Sequence, residues 1–157
     1  MNQPIRGGSK KGPRMNADER GLQHGGLTEK IIGVFFEVYN ELGQGFLESV
    51  YKAAMLLALR EAGLWVESQG QIPVWFRVQR IGDFRADMVV EGIVILDLKA
   101  SRATEPAHEA QLLNYLRATP MEVGLLLNFG PKPTFKRMAF ANERKSIRVH
   151  PRSSAAK

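Results

Sequence analysis

The chain has 157 residues, a formal net charge of +6, 44% hydrophobic residues and no cysteine. That length suits one domain with a real core rather than two, and the near-average composition argues against disorder throughout. Disulfides, thiolate zinc sites and cysteine nucleophiles are excluded, a reducing cytoplasm fits, and no apolar run approaches the roughly 18 residues of a membrane span.

Residues 1–26 hold five basic residues against two acidic ones, are rich in Gly, and read as a disordered basic leader. A helix is predicted from Thr28, an N-cap residue type, to Leu42. Ile31, Ile32, Phe35, Val38, Tyr39 and Leu42 fall on one stripe, and Gly43-Gln44-Gly45 ends it. A second helix is predicted over Phe46–Ala62, stopped by Gly63, and a short strand is expected near Trp65–Glu67. Period-two alternation of Ile72, Val74, Phe76 and Val78 marks a strand over 71–79, with a turn at Ile81-Gly82-Asp83. Strands follow at Phe84–Glu91 and, after a reversal at Gly92, at Ile93–Ala100. The latter is apolar on both faces until its end, as a doubly covered central strand is. A helix over Pro106–Ala118, a buried strand over Val123–Asn128 and an edge strand over Thr134–Ala141 complete a domain spanning 27–141. Residues 142–157 read as a basic flexible tail. The fold class is α/β (α+β), a mixed β-sheet flanked by helices.

The chemistry concentrates where the central strand ends. Asp97 and Lys99 are two apart on a strand, so both emerge on one face, roughly 6–7 Å apart. A carboxylate there is a hard ligand for Mg²⁺ or Mn²⁺, and a lysine beside it can orient water or offset charge on a phosphorane-like transition state. The triplet alone is weak, since an acid-x-Lys pattern recurs at Glu143-Arg144-Lys145 in the tail. Asp87 adds context. Read mid-strand among apolar residues, it needs a partner or a metal, and the reversal near Gly92 sets it level with Asp97 on the neighbouring strand. Pairing with Arg85 or Lys99 is the structural alternative. Glu48 shares a helical face with Gly45 and Tyr51, and Gln111 and Tyr115 share another, with His108 one turn before Gln111.

Gly45-Phe46-Leu47-Glu48-Ser49-Val50-Tyr51 resembles the signature of the GxxExxY family, small proteins of the PD-(D/E)xK nuclease superfamily. The resemblance extends through Arg85-Ala86-Asp87, Asp97-Leu98-Lys99-Ala100, Gln111 to Leu116 and Leu127-Asn128-Phe129-Gly130. It implies a restriction-endonuclease-like fold and a metal-dependent nuclease. Asp87, Asp97 and Glu48 would hold Mg²⁺ or Mn²⁺, with the Leu98 carbonyl as a further ligand. Lys99 would position the water, and Tyr51, Gln111 and Tyr115 would line the substrate side, with His108 beside them. The substrate implied is nucleic acid, DNA ahead of RNA. Target choice is left to loops, tails, a homodimer or another protein. One departure stands out: the family usually has Glu where this chain has Asp97, a carboxylate set back by roughly 1 Å in a site whose Mg²⁺ geometry is exacting. The alternative is therefore a nuclease-fold protein that binds nucleic acid or regulates without turnover.

Overall fold

The computed structural model describes residues 24–145. In chain order these form α1 (Gly25–Leu42), α2 (Glu48–Glu61), β1 (Val66–Ser68), β2 (Gln71–Phe76), β3 (Gln79–Arg85), β4 (Met88–Val90), β5 (Val94–Lys99), α3 (Pro106–Ala118), β6 (Val123–Phe129) and β7 (Pro133–Ala139), with a 3₁₀ turn at Asn142–Arg144. The main sheet has the order β1-β4-β5-β6-β7, and β2 and β3 form a separate hairpin. Among the described strands only β5 and β6 run parallel, because α3 crosses between them; the other neighbours in this sheet are antiparallel. This is a mixed sheet of restriction-endonuclease-like type, as the sequence led us to expect.

Alternation along the central strands divides the core. Val94, Leu96 and Leu98 of β5 and Leu125, Leu127 and Phe129 of β6 pack with Ile31, Phe35, Tyr51, Met55 and Leu59 of α1 and α2. Ile95 and Leu126 point the other way, onto Leu112 and Leu116 of α3 and Ile72 of the hairpin. Since side chains alternate faces, Asp97 and Lys99 follow Ile95 onto the α3 side.

Several boundaries differ from the predicted ones. Thr28 lies inside α1, its hydroxyl donating to the Gly25 carbonyl at 3.0 Å, and Leu47 caps α2. The hairpin turns at Arg77-Val78, both with positive φ, so residues 81–83 lie within β3. The predicted strand over 84–91 is broken at Ala86-Asp87: residues before the break belong to the hairpin and those after it to the main sheet. Asp87 therefore sits between strands and not within one. The chain also stays ordered past residue 141. The Asn142 N–H donates to the Glu122 carboxylate at 2.6 Å, and the Lys145 ammonium donates to the carbonyls of Thr119 and Met121.

Candidate functional site

The β4–β5 register pairs Met88 with Leu96, so one step further along it sets Asp87 opposite Asp97. The two carboxyl groups are close enough for Asp87 to act on Asp97 through hydrogen bonding and charge. Burial, that hydrogen bonding and the charge of Asp87 together push the Asp97 carboxyl up to about 7, although Lys99 and Lys52 pull it back. Two carboxylates this close cannot both ionise cheaply, so near neutral pH Asp97 is only partly ionised. Asp87 is fixed by two further contacts. Its Oδ2 accepts from the Leu98 N–H at 2.8 Å, which bridges the break before β4 to the end of β5. Its Oδ1 lies 3.0 Å from the Lys52 ammonium, which also meets Glu48 at 3.1 Å. Asp87 thus pairs with neither Arg85 nor Lys99.

Lys52 is the site residue that sequence reasoning missed. It lies one turn after Glu48 on α2, and this i,i+4 acid–base pair was the available signal. What the spacing could not show is that the same ammonium reaches Asp87. Burial lowers its pKa, but the bonds and charges of Asp87 and Glu48 outweigh that, and the net shift is upward. Lys52 stays charged. Glu48, expected to bind metal with the two aspartates, reaches Asp87 only through Lys52. Among the described residues no three His, Asp or Glu side chains are arranged to hold a metal ion. The Asp87–Asp97 pair still fits a hard divalent cation, because two carboxyl groups set opposite each other are, once deprotonated, an oxygen donor set that Mg²⁺ takes with its remaining waters.

Tyr51 does not face a substrate. It is fully buried, its ring stacked on Phe129 with centroids 4.4 Å apart. Its hydroxyl donates to the Gly43 carbonyl and accepts from the Phe46 N–H, so it shapes the loop that leads into Glu48. Gln111 is exposed on α3, where it lines a shallow pocket of about 560 Å³ with His108, Asn114 and Tyr115. The Tyr115 ring stacks on Phe84 of the hairpin, centroids 4.0 Å apart. These residues share the α3 side of the sheet with Asp97 and Lys99. Among the described residues, no hydrogen bond or ion pair links them to the acidic pair. His108 Nδ1 is buried without a hydrogen-bond partner.

The loop after Lys99 is pinned from β6. Buried Asn128 donates to the Ser101 carbonyl at 2.9 Å and accepts from the Ser101 N–H at 3.0 Å. A Cβ at Gly130 would lie 2.2 Å from that same carbonyl, so only glycine fits there. Asn128 and Gly130 thereby fix how the chain leaves β5, and with it the base of Lys99.

A mixed sheet with paired acids and a lysine at the exit of its central strand defines a nuclease-type α/β domain. The sequence model of the PD-(D/E)XK nuclease superfamily matches residues 25–138, and the chain belongs to that superfamily. A search of curated proteins finds no match. A solved structure described as the crystal structure of SSO0001 is similar over 59% of this chain, at 18% identity and a TM-score of 0.48. The chain spans about half (50%) of that protein. No helix among the described residues is long and apolar enough to cross a membrane.

Proposed function

We propose that the protein is a divalent-metal-dependent nuclease that hydrolyses phosphodiester bonds, in DNA ahead of RNA. The observation that carries this reading is the Asp87–Asp97 pair, brought together by the break before β4 and the end of β5, with Lys99 on the same face as Asp97. Asp87 and Asp97 are the residues to hold Mg²⁺ or Mn²⁺. Such an ion supplies Lewis-acid stabilisation of the phosphoryl oxygens and a more acidic water. Lys99, two residues on from Asp97 along β5, orients the attacking water and offsets negative charge developing on phosphorus. Lys52 holds Asp87 in place and sets Glu48 behind it. The proton that Asp97 retains must leave before it can act as an anionic ligand, so activity rises as pH passes through about 7.

The second reading, a protein that binds nucleic acid without turnover, is favoured by one observation: Lys52 stands between Glu48 and Asp87. Purified protein incubated with Mg²⁺ or Mn²⁺ and single-stranded DNA, duplex DNA or RNA separates the two. The nuclease reading expects cleavage that disappears in Asp97→Ala and Lys99→Ala. Cleavage that persists in both variants, or no cleavage of any substrate, would sink it.

A further inference from the structure

Two strands from the acidic pair lies a concavity of opposite charge. A pocket of about 430 Å³ is lined by Arg102, Lys132 and Lys136, with Thr104, Thr134 and one acid, Glu109. Three cations around one hollow repel each other, and a single carboxylate offsets only part of that. Among the described residues none of the three is in an ion pair within 4.0 Å. Their charge is available to an external anion.

Strand register relates this pocket to the site. Asp97 pairs with Leu126 and Leu126 with Lys136; Lys99 pairs with Asn128 and Asn128 with Thr134. Cross-strand partners project from the same face, so Lys136 and Thr134 stand two strands from Asp97 and Lys99 on the α3 side, roughly 10 Å away. Arg102 lies three residues after Lys99, in the loop that Asn128 pins, and Lys132 lies in the turn between β6 and β7. Two rows that begin at the acidic pair and its lysine therefore end in a basic pocket.

We propose that this pocket seats a backbone phosphate flanking the reacting one, so that a nucleic-acid strand crosses the sheet face from β5 towards β7. The inference rests on the nuclease reading for the position of the reacting phosphate. Arg102, Lys132 and Lys136 neutralise the flanking phosphate, and the Thr104 and Thr134 hydroxyls are the hydrogen-bond donors beside it. None of these groups reads a base, so the pocket positions the strand without regard to sequence. A substrate must therefore continue past the cleaved bond on the β7 side.

The test uses the full chain carrying Asp97→Asn, in EDTA, with a fluorescently labelled single-stranded oligonucleotide and its duplex. Binding is followed by anisotropy across a salt series. On the single strand, the triple variant Arg102→Gln, Lys132→Gln and Lys136→Gln should flatten the slope of log K against log salt by about 0.7, the value for one phosphate, and each single variant by less. Lys30→Gln, on the exposed flank of α1, should leave the slope unchanged. Lys136→Arg should also leave it unchanged, which guards against a folding defect mistaken for lost charge. The proposal is overturned if the triple variant keeps both the affinity and the slope of its parent, or if the parent does not bind. Absence of cleavage by the natural chain, with these slope changes intact, would remove the nuclease reading and leave the phosphate seat standing.

Discussion

At the scale of single residues, the Asp97 proton governs behaviour. The ordinary carboxyl value is 3.8, and in the folded chain it is about 7. Between those values the folded state holds a proton that the unfolded state has lost. This contribution to stability is fully present below about 3.8 and disappears as pH rises through about 7. Metal-free protein should therefore lose melting temperature over that window relative to Asp97→Asn, which cannot titrate. Thermal melts in EDTA from pH 4 to 8 measure the difference; parallel curves for the two proteins would refute a raised Asp97 pKa. Lys52 gives a second prediction. It is the cation facing both Glu48 and Asp87, so Lys52→Gln leaves three acids facing one another. The variant should melt lower than the natural chain at pH 7.5, by an amount corresponding to about 1–3 kcal/mol for a charged hydrogen-bonded group lost from a partly buried site. Added Mg²⁺ should raise its melting temperature more than that of the natural chain. An equal Mg²⁺ response in both would mean that Lys52 and a cation do not compete for the same acids.

At the scale of elements, legibility followed the strength of local pattern. The central strand Val94–Lys99 and the helix Pro106–Ala118 emerged close to their predicted bounds, because a run buried on both faces and a Pro-started helix leave little choice. The expected strand near Trp65–Glu67 is β1. The hairpin was misplaced because Ile81-Gly82-Asp83 has turn chemistry and Arg77-Val78 has none. Yet the chain reverses at Arg77 and Val78, with φ of 52° and 66°, the two-residue geometry that favours Asn-Gly. A β-branched residue there is strained by about 1–2 kcal/mol. Replacing Arg77-Val78 with Asn-Gly relieves that strain and gives up the contact of Arg77 with the Phe76 ring, which contributes about 0.5–1 kcal/mol at an exposed site. The balance predicts a melting temperature equal to or above that of the natural chain, read by calorimetry. A loss of several degrees would mean that the hairpin tip is held by something other than its turn. In the site, the level placement of Asp87 and Asp97 was legible from the reversal near Gly92. The burial of Tyr51 was not: a tyrosine on a helix stripe fits core or cleft equally well, and only the stacked Phe129 decides.

At the scale of the whole molecule, the sequence pattern conveyed the layers but not where the domain stops. Residues after 141 are polar and basic and read as tail, whereas Asn142–Lys145 fold back over the connection between α3 and β6. The reason is a set of long-range contacts that no local window contains. Glu122 receives Asn142, Phe140 lies under the guanidinium groups of Arg117 and Arg144, and the Lys145 ammonium meets two carbonyls. Burial lowers the Lys145 pKa from 10.5 to about 8, with Glu122 opposing the shift. Below about 8 the lysine is charged whether the chain is folded or not. Between about 8 and 10.5 the unfolded chain binds a proton that the folded chain does not, so this group's contribution to stability grows as pH rises. Lys145→Met removes both bonds and the titration together. At pH 7 it should cost about 1–3 kcal/mol, the usual penalty when buried acceptors lose their donor. Its deficit against the natural chain should then widen between pH 8 and 10.5, as followed by urea unfolding. A deficit that stays constant with pH would show that Lys145 keeps its ordinary pKa and that the last turn is held by Asn142 and the Phe140 ring alone.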